Sequence, residues 1–319
     1  STLDRSSAAS DVYKRQVKYP MGCDKGFAFA YSEAQEAYFA RGDYADWEER
    51  VAGSPEYAFN EYLELTLTQG PVICIMLIVI TLACLWAGTQ LRRYGVCGAI
   101  IALLIFSFSS YPMHIPAFIV AYVCLLLACG IGDIMAKPVV LSACLIIWIG
   151  GFHGKWQREK DACRDWMNAR MLYHAGAYTA ANAAYDKLYP QLREKGTFLF
   201  EYGHSLHKTG FYNESNKYLD KALVYCADPM ILNVIGKNYQ ALQCYHWAEE
   251  LLLASTHRLP GRIYPYYLLA KLYADPEFLN REKFEEMRRM VLMKAPKIHS
   301  TAIEEMRREV EEIAKELEK

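Results

Sequence analysis

Side chains able to do chemistry crowd into one short stretch of this chain. Residues 17–69 hold ten carboxylates (Asp24, Glu33, Glu36, Asp43, Asp46, Glu48, Glu49, Glu56, Glu61 and Glu64) against Lys18, Lys25, Arg41 and Arg50, a net charge of −6. Acids at this density offer proton transfer, and the few cations offer anion binding. Elsewhere the candidates thin out. His114 lies between Pro112 and Pro116, beside apolar sequence. A histidine inside a membrane can be functional, but at an interfacial turn a solvated role is the simpler expectation. Asp133 and Lys137, four residues apart, can pair with each other. Cys74, Cys84, Cys97, Cys124, Cys129 and Cys144 lie in apolar sequence, where a thiol acts as a small hydrophobe. Cys23, Cys163, Cys226 and Cys244 show neither CxxC nor zinc-like spacing, so neither a metal site nor a disulfide framework is expected.

The elements that must position these groups follow from the hydropathy pattern. Among 319 residues, 53% are apolar and 22% charged, with a net charge of −1. Those averages mix two unlike halves. From Gly70 to Phe152 the charged side chains are Arg92, Arg93, Asp133 and Lys137 alone, whereas the chain from Lys155 onward is densely charged and rich in tyrosine. This excludes a fully soluble cytosolic protein, and without a basic stripe a nucleic-acid partner is not expected. Gly70–Leu91 is long enough to cross a hydrocarbon core of about 30 Å. Tyr94–Ser110, Ala117–Gly132 and Pro138–Phe152 add three shorter apolar runs. The expectation is a transmembrane block over 70–152 of about four helices; reading the proline-separated pair as re-entrant changes that parity. Arg92, Arg93 and Lys137 mark the two turns that a four-span arrangement places on the cytoplasmic side. Residues 17–69 and the C-terminal block then face the other side, although Lys155, Arg158 and Lys160 flank the last span there.

Ahead of the membrane block, residues 1–16 resemble translated adapter sequence, and the expectation is a non-native leader in front of a C-terminal fragment. Within 17–69, Ser32 is a candidate cap for a helix over Glu33–Ala40, and Ser54-Pro55 for one ending at Leu67. After about Ala162 a period of 33 to 34 residues sets in. Gly176-Ala177-Tyr178 aligns with Gly210-Phe211-Tyr212, and Gly203 with Gly236. Ala181, Ser215 and Ala248 fill a small-residue position suited to close helix crossing. Pro260 and Pro296 close the third and fourth units, the fourth with about two extra residues near Asp275–Asn280. This pattern resembles the tetratricopeptide repeat, over 153–299. Thr301–Lys319, with Ile303, Met306, Val310, Ile313 and Leu317 on one face, reads as its capping helix over 300–319. The fold class expected is all-α, polytopic transmembrane helices followed by a tetratricopeptide-repeat helical solenoid.

The sequence Ala58-Phe59-Asn60-Glu61-Tyr62-Leu63, with Gly70 seven residues on, resembles the end of the large periplasmic loop of the O-antigen ligase and polymerase superfamily. That family shows a His-Asn-x-x-Leu pattern there, then an acidic residue and a glycine at the mouth of the next span. Upstream, Gly22, Gly26-Phe27, Tyr31, Gln35 and Ala37-Tyr38-Phe39 look like the loop's aromatic helix in forms that carry C-terminal repeats. The order of loop, membrane block and repeats carries the resemblance over roughly residues 17–319.

The resemblance implies a multi-pass protein of the bacterial inner membrane, with loop and repeats in the periplasm. The implied reaction is metal-independent and needs no cofactor: a saccharide moves from a polyprenyl-pyrophosphate donor to a hydroxyl of a glycan or lipid A-core acceptor, and the repeats recruit the acceptor or a protein partner. The chain departs from the family where Phe59 stands in place of the histidine and Thr68 in place of the acid. Catalysis would then fall to Glu61 or Tyr57 as base, with Arg41, Arg50 and Lys25 holding pyrophosphate and Asn60 binding or bracing. The fragment alone is expected to be inactive. The alternative is a membrane-anchored repeat scaffold without catalysis.

Overall fold

The computed structural model describes residues 23, 25–130, 157–296 and 300–318. The leader 1–16, the Asp133/Lys137 pair and the run Pro138–Phe152 lie outside the described residues. Within them the chain is all-α, with no strand. The helices are α1 (Phe27–Phe39), α2 (Asp46–Val51), α3 (Glu61–Gln69), α4 (Pro71–Gln90), α5 (Tyr94–Ser109), α6 (Pro116–Gly130), α7 (157–174), α8 (Tyr178–Leu192), α9 (Gly196–Lys208), α10 (Tyr212–Tyr225), α11 (Met230–Ala241), α12 (Tyr245–Arg258), α13 (Tyr264–Tyr273), α14 (Arg281–Met293) and α15 (Thr301–Leu317). They form two compact units: residues 1–30 with 56–163, and 31–55 with 164–319.

Two helix starts differ from the sequence expectation. α1 begins at Phe27, after Gly26 at φ +85°, because Phe27, Ala28 and Ala30 are buried and extend the helix back past Ser32. Ser32 is itself buried rather than capping. α3 begins at Glu61 rather than near Ser54, because Asn60 is the stronger cap: its Oδ1 accepts from the N–H groups of Tyr62 (3.0 Å) and Leu63 (3.1 Å).

In the first unit, Gly70 turns the chain at φ +90° and Pro71 opens α4, where its missing N–H costs nothing. At 20 residues α4 is about 30 Å long. Among the described helices it alone is long and apolar enough to cross a membrane; α5 and α6 are apolar but shorter. A 3₁₀ turn over Pro112–His114 separates them. α4 packs on both, and a Cβ added to Gly88 would fall 2.0 Å from Cys129 Sγ, so α4 and α6 approach closely there. Thr81 and Tyr122 share a buried hydrogen bond across the same pair.

In the second unit, helices pack chiefly as the consecutive pairs α9/α10, α11/α12 and α13/α14. A Cβ on Gly203 would meet Leu219 Cγ at 2.6 Å and one on Gly236 would meet Leu252 Cγ at 2.9 Å, which is why the paired helices cross at glycine. The small residues Ala181, Ser215 and Ala248 are fully buried. Three-residue turns follow α7, α9 and α11, each with one left-handed residue: Gly176, Gly210 and Gln243. The turn after α13 has seven residues, 274–280, four more than the others rather than two. On α15, Val310 and Ala314 are buried, with Ile303, Met306, Ile313 and Leu317 packed around the core of α13 and α14. Residues 31–55 belong to this unit. Gln35 donates to the carbonyls of Gly53 and Arg258, Arg258 Nε lies 2.9 Å from Glu36 Oε2, and Lys294 Nζ lies 2.8 Å from Glu49 Oε1.

Candidate functional site

The first unit gathers an acid–imidazole cluster where α3 meets the turn between α5 and α6. Asn60 starts it. While its Oδ1 caps α3, its Nδ2 donates to the Phe108 carbonyl at 3.1 Å, and Tyr62 OH donates to the Leu104 carbonyl at 3.1 Å. These bonds fix α3 against the end of α5. Glu61 and Glu64, three residues apart on one helical face, then point at the Pro112–His114 turn. Glu61 Oε2 accepts from the Met113 N–H at 3.3 Å. Glu64 Oε1 lies 2.7 Å from His114 Nε2, and its Oε2 accepts from the Ala58 N–H at 3.2 Å.

Aromatic rings wall the imidazole. Tyr57 meets it edge-on at 4.6 Å between centroids, and Tyr57 stacks on Tyr111 at 5.5 Å. Phe59 packs edge-on against Tyr111. Glu64 is 7% exposed while the His114 side chain is 36% exposed, so the carboxylate is inside and the imidazole faces out. Burial raises the pKa of both carboxylates. The Met113 N–H and then His114 oppose it at Glu61; His114 opposes it at Glu64, where Glu61 adds to the rise.

Chemically this arrangement has the groups that proton transfer requires. With the proton on Nε2 and donated to Glu64, Nδ1 keeps its lone pair, and among the described residues no group hydrogen-bonds it. An imidazole oriented by a buried carboxylate is a general base whose cation the carboxylate then stabilises. Beside the cluster, an open apolar groove of about 350 Å³ is lined by Tyr62, Ile101, Leu104, Ile105 and Phe108. Among the described residues no group of three or more His, Cys, Asp and Glu side chains is placed to hold a metal ion.

Of the residues singled out from sequence, Glu61, Tyr57 and Asn60 come together here. Lys25 lies in the same unit, exposed, with Nζ 4.4 Å over the Phe29 ring. Arg41 and Arg50 belong to the second unit. Arg41 lies 5.2 Å over Tyr38 and donates to the Ala37 carbonyl at 3.4 Å; Arg50 is exposed in the last turn of α2. The sequence reading missed Glu64 as a site residue and set His114 aside as solvated. The signal was the Glu61/Glu64 spacing behind a strong Asn cap. No family model matches the chain, and no curated protein matches it.

Proposed function

We propose that the chain is the C-terminal part of a membrane glycan ligase or polymerase, with Glu64–His114 as its proton-transfer pair. The 2.7 Å contact between a buried carboxylate and an outward-facing imidazole carries this reading. His114 supplies from the α5–α6 turn the imidazole that Phe59 denies to the loop. In the proposed reaction Nδ1 takes the proton of the acceptor hydroxyl as its oxygen bonds to the sugar's anomeric carbon. The bond from that carbon to the pyrophosphate oxygen breaks, and the polyprenyl pyrophosphate departs with the electron pair. Glu64 steadies the imidazolium, Glu61 and Tyr57 border the acceptor, and the apolar groove suits a lipid tail. Of the cations proposed for the pyrophosphate, Lys25 shares the unit that holds the pair, whereas Arg41 and Arg50 belong to the other unit and are not counted in this site.

The membrane placement is proposed on the same footing. Residues 31–55 share a compact unit with 164–319, and the apolar helices lie between them in sequence. Two segments packed together occupy one side of a membrane, so the crossings between them are even in number. Counting α4, α5, α6 and the run Pro138–Phe152 as four satisfies this, with loop and helix pairs both periplasmic in a bacterial inner membrane. The 33- to 34-residue register of Gly176, Gly210 and Gln243 supports the tetratricopeptide reading and a protein or acceptor partner.

The test is His114→Gln in the full-length gene, read as the surface-glycan profile of cells that depend on it. Transfer is expected to fall about a hundredfold or more. An unchanged profile would leave the second reading, a membrane-anchored repeat scaffold, which Phe59 in the histidine's place favours. A scaffold also tolerates changes at Glu61 and Arg41.

A further inference from the structure

Two sulfurs meet where the open end of the α5–α6 hairpin packs on α4. Cys97 lies in the first turn of α5 and Cys129 in the last turn of α6. Their Sγ atoms are 3.5 Å apart, although the residues are 32 apart in sequence. Cys97 is 5% exposed and Cys129 is fully buried. Facing them on α4 is the buried Gly88, where an added Cβ would fall against Cys129 Sγ and 2.7 Å from Cys97 Sγ. The two sulfurs fill the space that a side chain on α4 would take. Cys84, one turn earlier on α4 and partly buried, packs against the same cluster.

We propose that Cys97 and Cys129 are a dithiol that a quinone dissolved in the bilayer oxidises to a disulfide. The sulfurs, 3.5 Å apart, need approach by only about 1.5 Å to reach disulfide bonding distance. In the reaction both S–H bonds break and one S–S bond forms. Two electrons and two protons pass to the quinone, which leaves as the hydroquinone. The oxidant is argued from access. Oxidants in water act by thiol–disulfide exchange, which needs a thiolate within their reach, and a thiol buried among apolar helices is inert to them. On the outside of the same helices, Trp86, Tyr94 and Ile101 are exposed within about one turn of Gly88 or Cys97. A lipid-soluble oxidant shares the phase those side chains face. The bond ties the open end of the hairpin whose turn holds His114. The inference rests on the membrane placement of α4–α6 and not on glycan transfer.

The experiment treats the full chain in detergent micelles with a lipid-soluble benzoquinone, fully substituted so that no ring position is open to thiol addition, or with oxidised glutathione. Alkylation counts the thiols that remain, and mass spectrometry of the digest maps the linkage. The quinone is expected to remove a pair of thiols and to join the peptide of Cys97 to that of Cys129 within one chain, both recovered by dithiothreitol. Oxidised glutathione should act about tenfold more slowly or less. Cys84→Ser should keep the link, while Cys97→Ser and Cys129→Ser should each lose it. Mapping on the wild-type chain decides the matter even if a variant fails to fold. The inference is overturned if the quinone removes no thiol pair, if the link maps to other cysteines or between two chains, or if glutathione oxidises the pair as fast. Alkaline carbonate extraction of membranes holding the full-length protein reads the placement separately. Release into the wash would overturn the placement and the quinone's route with it, whereas a retained protein that forms no link overturns the dithiol alone.

Discussion

Two glutamates are almost equally buried, one in each unit, and they live in opposite surroundings. Glu201 is 4% exposed, and its partners are fixed: Trp166 Nε1–H donates at 2.8 Å, Tyr185 OH donates at 3.2 Å, and the Arg170 guanidinium forms an ion pair with Nε 2.8 Å away. Arginine stays charged at any working pH. Burial and the adjacent Glu201 push the Tyr185 hydroxyl far up, so that donor keeps its proton too. Glu64, 7% exposed, has one backbone donor and one titratable partner, His114. Burial alone therefore does not mark a site. What separates a brace from a reactive group is whether the partners can change charge.

The largest effect expected from this contrast is at the brace. Glu201→Ala leaves an indole N–H and a phenol without their acceptor and a part-buried guanidinium without its counter-ion. Breaking such a buried pair costs about 3 kcal/mol, the low end of the usual range because Arg170 keeps partial access to water. Urea unfolding of the variant against wild type measures it. A loss below about 1 kcal/mol would mean that Glu201 is no more a structural brace than Glu64.

At Glu64 the effect on stability should be smaller and should depend on pH. Glu64→Gln keeps an oxygen for the His114 N–H and removes only the charge. Burial raises the folded-state pKa above the ordinary 4.5, so the folded protein holds a proton there that the unfolded chain releases. That contribution is present below about 4.5 and is lost as pH rises through the raised value. Glutamine has no such proton. The variant should accordingly gain on wild type as pH rises from about 4.5 through the raised value, seen as a widening difference in melting temperature. A difference that narrows over that range would reverse the assigned sign. On the proposed function, glycan transfer should also fall at every pH, which separates a positioning role from a stabilising one.

How far each region could be read from sequence follows from the distance over which its contacts act. Gly176 and Gly210, in the same three-residue turn one period apart, announce the helix pairs, since a left-handed turn residue is a local demand. Asn60 makes an equally local demand as the cap of α3, but the sequence reading put that helix start at Ser54-Pro55. Ser32 and Ser54 misled because each looks like a cap in isolation, while burial of Phe27 and the competing Asn60 set the true boundaries. The Glu64–His114 contact joins residues 50 apart, and Glu36–Arg258 joins residues 222 apart. Neither leaves a periodic trace. Residues 31–55 looked continuous with the rest of the acidic stretch because composition records charge and not the surface it meets.

The smallest effect lies at the turn that breaks its own rule. Gln243 occupies the left-handed position filled by glycine at 176 and 210, with φ +58°, and its Nε2 donates to Glu277 Oε2 at 3.1 Å in an exposed bond. A residue with a Cβ is strained there, and an exposed hydrogen bond returns little. Gln243→Gly should stabilise the chain by about 0.5 kcal/mol, after the extra freedom glycine gives the unfolded state is set against the relieved strain. The matching Gly210→Ala should cost about 1 kcal/mol. Opposite signs at equivalent turns, measured by thermal unfolding, would place this rule with the Glu201 network among the fixed features of the repeat unit. If Gln243→Gly instead destabilises by 1 kcal/mol or more, the Glu277 bond outweighs the backbone strain, and a polar contact at the rim braces the unit as Glu201 does in its core.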